Sequence, residues 1–71
     1  MRVTYDPDHD LAYLRLVELP DDAAGVAHSV SVESEHRRGE IVLDFNLEGH
    51  LVGLEVFNAR GQMPPELFST S

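Results

Sequence analysis

Glu40-Ile41-Val42-Leu43-Asp44-Phe45-Asn46-Leu47, then Glu48-Gly49, then His50-Leu51-Val52-Gly53-Leu54-Glu55-Val56-Phe57 is the stretch that decides the fold, because it reads as two strands folded back on each other. With Glu48-Gly49 as the loop, Leu47 meets His50, Phe45 meets Val52, Leu43 meets Leu54 and Ile41 meets Val56. The other face pairs Asn46 with Leu51, Asp44 with Gly53, Val42 with Glu55 and Glu40 with Phe57. Phe45, Leu43 and Ile41 each meet an apolar partner, whereas a slip of one residue would set Leu43 against Gly53 or Glu55, so the pattern specifies the register. Glycine accepts a positive φ in the loop at little cost. Glu48 is a less usual first loop residue than Asn or Asp, so a longer loop with a bulge stays open.

Outward from this hairpin the signals are shorter. Strands are predicted at Arg2–Tyr5, Leu11–Val17 and Val26–Val32, where Val26, His28, Val30 and Val32 alternate with Ala27, Ser29 and Ser31. Asp6-Pro7-Asp8 carries turn chemistry, since proline fixes φ and short acidic side chains bond their own backbone. Leu19–Gly25 reads as a loop, Ser34–Gly39 as a connection and Asn58–Gln62 as irregular. Met63–Phe68 makes one or two helical turns, because proline suits the first turn of a helix. The expectation is a mainly β chain, with a small α+β variant open: a four- or five-stranded antiparallel meander with a short C-terminal helical turn. Residues 1–60 form the sheet domain, and 61–71 the helical turn and a disordered Ser69–Ser71 tail.

The chain has 71 residues and a net charge of −8, with five arginines, no lysine and no cysteine. A chain this short builds a thin core, which is usually supplemented by disulfides, a metal or a second subunit. Disulfides, thiolate chemistry and cysteine-based zinc sites are excluded outright. The charge repels phosphate backbones, so nucleic acid is not an expected partner, and His36-Arg37-Arg38 is too short a basic cluster to offset it. No apolar run approaches the ~18 residues of a membrane span, so no membrane partner is expected. A cytoplasmic setting follows as the default.

Tyr5-Asp6-Pro7, Asp10-Leu11-Ala12-Tyr13-Leu14-Arg15-Leu16, Ile41-Val42-Leu43-Asp44 and Glu48-Gly49-His50-Leu51-Val52-Gly53-Leu54-Glu55-Val56-Phe57-Asn58-Ala59 together resemble the signature of a small bacterial family, domain of unknown function 2283. The resemblance covers roughly residues 2 to 60, with the specificity in the combination of the opening and closing blocks. It implies a compact sheet-rich fold and carries over no catalytic residues. By gene neighbourhood some members look like partners of small toxin-type proteins, which implies an antitoxin-like role. The short C-terminal segment departs from longer members.

No nucleophile–base pair or other catalytic constellation stands out, and no cofactor is expected. Asp6, Asp8, His9 and Asp10 form the densest cluster of metal-ligating types. The calcium loop they suggest wants Gly at its sixth position and a bidentate Glu at its twelfth, where this chain has Leu11 and Val17. His9, His28, His36 and His50 have no close ligand spacing; His28, among valines, is expected to be partly buried. Tyr13 and Arg15 share a face of their strand, and Asp44 and Glu55 project from the mixed face of the hairpin, which makes these four the surface-site candidates. Gly53, opposite Asp44, opens a notch there or marks a bulge.

Leu14, Leu16, Ile41, Leu43, Phe45, Val52, Leu54 and Val56 can share the other face, on the order of 450 Å² in plan. A helix of five residues covers only about a fifth of it. A homodimer through Leu43, Phe45, Val52 and Leu54, rimmed by Met63, Leu67 and Phe68, is therefore expected. The leading functional expectation is a non-enzymatic, homo-oligomeric protein-interaction module that turns an acidic surface to a basic partner. A small-ligand or divalent-cation binder using the Asp6–Asp10 turn, or a small enzyme, are the other readings.

Overall fold

The computed structural model describes residues 1–17, 25–35 and 38–68. The Leu19–Ala24 part of the expected loop, His36-Arg37 and the Ser69–Ser71 tail lie outside the described residues. Five strands run in chain order: β1 (Arg2–Asp6), β2 (Leu11–Arg15), β3 (His28–Glu33), β4 (Glu40–Phe45) and β5 (Leu51–Phe57). They are followed by one helical turn, α1 (Ala59–Gln62), and a 3₁₀ turn at Pro65–Leu67.

All pairings are antiparallel, and the sheet order is β1-β2-β5-β4-β3. Strands β3, β4 and β5 form a meander, and the β1-β2 hairpin joins on the free side of β5 rather than beside β3. The decisive hairpin therefore holds the centre, and β1 and β3 are the edges.

The central register is that of the sequence pattern: Ile41 faces Val56, Val42 faces Glu55, Leu43 faces Leu54 and Asp44 faces Gly53. At the hairpin end it differs, for Phe45 pairs with Leu51, not Val52, and Val52 is an extra residue in β5. The loop is the cause. Asn46 and His50 close it through the Asn46 N–H and the His50 carbonyl at 2.9 Å, so the loop is Leu47-Glu48-Gly49. Asn46 Oδ1 accepts the N–H groups of Glu48 and His50 at 3.0 and 2.9 Å, and Gly49 takes φ 86°. This is the turn followed by a left-handed residue that suits three-residue hairpin loops. A loop one residue longer would shift every pair, and the bulge at Val52 restores the register.

Because opposed residues share a face, the pairings sort the side chains. One face carries Val3 and Tyr5, Ala12 and Leu14, Leu54 and Val56, Ile41, Leu43 and Phe45, and His28, Val30 and Val32. The C-terminal segment packs on one end of it. Ala12, Val56 and Ala59 form the buried centre, with Tyr5, Leu14, Ile41, Met63 and Phe68 around them. The rings of Tyr5 and Phe68 meet edge to face at 5.0 Å.

Asn58–Gln62, expected to be irregular, holds α1 because Asp10, just before the neighbouring strand β2 whose Leu11 faces Phe57, caps it. The Asp10 carbonyl accepts the Ala59 N–H at 2.9 Å, and its carboxylate accepts the Arg60 N–H at 3.1 Å. Pro65 opens the 3₁₀ turn at its first position, as proline's missing donor and fixed φ favour.

Candidate functional site

The opposite face is polar, and the same pairings lay it out in rows across the strands. One row runs Arg2, Arg15, Gly53, Asp44, Ser29, and the next runs Thr4, Tyr13, Glu55, Val42, Ser31. The candidates Tyr13, Arg15, Asp44 and Glu55, drawn from three strands, are thus neighbours on one surface.

The glycine at the middle of the first row lets Tyr13 reach across it. A Cβ at Gly53 would stand 2.3 Å from the Tyr13 hydroxyl oxygen, so the phenol fills the notch expected there. Asp44 lies beyond it, buried at 3% exposure, and accepts the Ser29 hydroxyl at 2.6 Å. A buried carboxylate is costly unless hydrogen-bonded, and Ser29 supplies that bond. Arg15 stands over the Tyr13 ring, its guanidinium carbon 5.6 Å from the centroid. Across the ladder Arg15 faces Gly53 rather than an acid, which leaves its guanidinium to this cation–π contact.

The electrostatics follow the rows. Burial, then the hydrogen bond with and charge of Asp44, push the Glu55 carboxyl above its ordinary value. Burial and the charge of Asp44 push the Tyr13 phenol up as well. Further along, Ser31 donates to the Glu40 carboxylate, and Glu33 and Glu40 stand directly opposite each other. The face is therefore polarised, with the arginines of β1 and β2 at one side and the acids of β5, β4 and β3 at the other.

The Asp6–Asp10 turn does not converge its acids. Asp6 accepts the Asp8 N–H at 3.0 Å and contacts His9 Nδ1 at 2.7 Å. Asp10 turns away to take the Tyr5 hydroxyl at 2.8 Å. Among the described residues no three His, Asp or Glu side chains gather as a metal site. His28 is exposed rather than partly buried, since β3 is an edge with a neighbour on one side only; it meets the Phe45 ring edge to face at 5.7 Å.

On the apolar face, Leu43, Phe45 and Leu54 are half-buried and Leu67 is exposed. Val52 departs from its expected interface role, because the chain itself buries it to 3% exposure. Phe68 is half-buried against the Tyr5 ring. Sequence reasoning did not single out Ser29, whose bond to Asp44 needed the β3-β4 register, or the open concavity of about 540 Å³ lined by Ala27, His28, Val30, Phe45, Asn46, Leu47 and Gly49.

The family model described as protein of unknown function (DUF2283) matches residues 2–60. The chain belongs to the DUF2283 family. That match covers the five strands and the start of α1, so the two-faced sheet is the part of the chain that the family model spans. Neither a curated protein nor a solved structure matches the chain significantly. No helix among the described residues is long and apolar enough to cross a membrane.

Proposed function

We propose that this DUF2283 protein is a non-catalytic, cytoplasmic interaction module that works as a homodimer, its apolar face sealed against a second copy and its acidic side left to a basic protein. The observation that carries this reading is the state of the apolar face. Val3, Val30 and Val32 are 45%, 40% and 41% exposed, and among the described residues no large side chain is fully buried.

The excess is measurable. A compact monomer of this mass would expose about 4,400 Å², against 5102 Å² here. The radius of gyration is 12.5 Å, against about 11 Å for a compact domain of this length. Two such sheets packed face to face, about 10 Å apart, would bury the face on both chains at once. An antitoxin-like role, in which the acidic side holds a small basic protein, is the specific form that the family resemblance implies.

Sedimentation equilibrium at low micromolar concentration tests the assembly. A species of twice the chain mass supports the reading, and a lone monomer sinks it.

A further inference from the structure

Strand β3 is an edge on which no other described strand pairs, and all six of its residues are exposed. The Ser34 N–H bonds the Gly39 carbonyl at 3.0 Å, and 34 and 39 continue the register of β3 with β4. Antiparallel ladders alternate bonded and free pairs. The even residues of β3 therefore bond β4, and Ser29, Ser31 and Glu33 point their N–H and C=O groups away from the sheet. The strand contains no proline, lysine or inward charge, the usual devices that blunt an edge.

The side chains beside these groups are not neutral toward what could pair there. On the polar face Glu33 stands directly against Glu40, and like charges so placed repel across a ladder. Glu35 follows at the strand end. On the apolar face Val30 and Val32 stand exposed. The other edge, β1, presents Arg2 on its polar face, opposite Arg15.

We propose that β3 binds an extended segment of a partner protein as a sixth strand, and that this segment alternates basic with apolar residues. Its basic side chains lie beside Ser29, Ser31 and Glu33, where they neutralise the Glu33–Glu40 pair. Its apolar side chains lie beside Val30 and Val32 and widen the apolar face. The backbone groups supply affinity and the alternation supplies selectivity, as in other strand additions. A second copy of β3 is the less favoured occupant, because it brings Glu33 and the chain's net charge of −8 against the same acids. The proposal rests on the interaction-module reading for the kind of partner, and the face-to-face dimer can fail without it.

The test is a nitrogen-15 NMR titration of the full chain with two capped synthetic peptides, one alternating arginine and valine and one alternating glutamate and valine. Binding of the arginine peptide, with shifts and exchange protection at the Ser29, Ser31 and Glu33 amides, is expected. Ser31→Pro removes an outward N–H without breaking a backbone bond to β4, although it also removes the hydroxyl that Glu40 accepts, and should weaken binding at least about tenfold, the scale of one lost hydrogen bond plus a steric block. Ser31→Ala, which removes the hydroxyl alone, should bind as the parent does. Should that variant fold poorly, Glu33→Lys, a change at an exposed side chain, should weaken binding of the arginine peptide several-fold and narrow its lead over the glutamate peptide; unchanged binding would overturn the proposal. Absence of binding, shifts confined to β1 or to the apolar face, or equal binding of both peptides would overturn the proposal. So would a wild-type dimer that Ser31→Pro dissociates, since it would assign the edge to a second copy.

Discussion

The phenol of Tyr13 lies across Gly53, so close that a Cβ there would sit 2.3 Å from its oxygen and 2.8 Å from the ring carbon bearing it. Strand β2 thereby reaches over β5 toward Asp44 on β4, and one residue without a side chain joins three strands on the polar face. Gly53→Ala should destabilise the chain by about 1–3 kcal/mol, the usual cost of overpacking, as read from denaturant unfolding. Tyr13→Ser vacates the space, so the double variant should lose less than the sum of the two single ones. Additive losses would mean that the ring and the glycine are not coupled.

Glu55 sets a pH dependence of defined sign. Its carboxyl is raised above the ordinary 4.5 by burial and by Asp44, so folding favours the neutral acid. That contribution is complete below the unfolded value and is lost as pH rises through the folded one. Glu55→Gln should therefore melt higher than the parent at neutral pH, and the gap should close on acidification. A gap that is constant with pH would count against the assignment.

The two tyrosines should both ionise above 10 in the native state, in a tyrosinate absorbance titration. Tyr5 is raised first by the bond it donates to Asp10, and Tyr13 by burial. Stability from the neutral phenols holds below the unfolded value and is lost as pH rises through the folded ones. Asp10→Asn keeps a side chain that tolerates the left-handed backbone at φ 49° and should lower only the Tyr5 transition.

Asp10 also ties down the segment that covers the apolar face. Asp10→Ala removes the acceptor for Arg60 and Tyr5 and should cost about 0.5–2 kcal/mol, the range of a lost helix cap. Hydrogen exchange should quicken first at Ala59–Met63 and not in β4. Uniform quickening would show that the segment and the sheet open together.

If the apolar face is the dimer contact, the melting temperature should rise with protein concentration, as linkage requires of an oligomer that dissociates on unfolding. Leu43→Glu, half-buried on β4, should give a monomer whose melting no longer depends on concentration. A melting temperature of the parent chain independent of concentration would argue for a monomer.

The alternation of Ile41, Leu43 and Phe45 with Val42 and Asp44, matched in Leu54 and Val56, by itself determined the central hairpin, its two faces and most of its register. Period-two patterning leaves one residue no choice of side once one face is apolar. It also placed Tyr13, Arg15, Asp44 and Glu55 on one surface, because parity within strands carries across pairs. What it could not determine was which strand lies beside which. The apolar residues of β2 and β3 fit beside β5 equally well, and only the assembled sheet decided that Leu14 faces Leu54 and that β3 is left at the edge. The edge position in turn exposed His28 and turned Ser29 toward Asp44. The loop was decided at the same level, since Asn46 closes Leu47-Glu48-Gly49 only if a bulge at Val52 takes up the extra residue. So was α1, whose cap is Asp10, 50 residues away in sequence from the Arg60 N–H that it accepts. Local patterning reports which way a side chain points, whereas neighbours distant along the chain are chosen by the packing of the whole sheet.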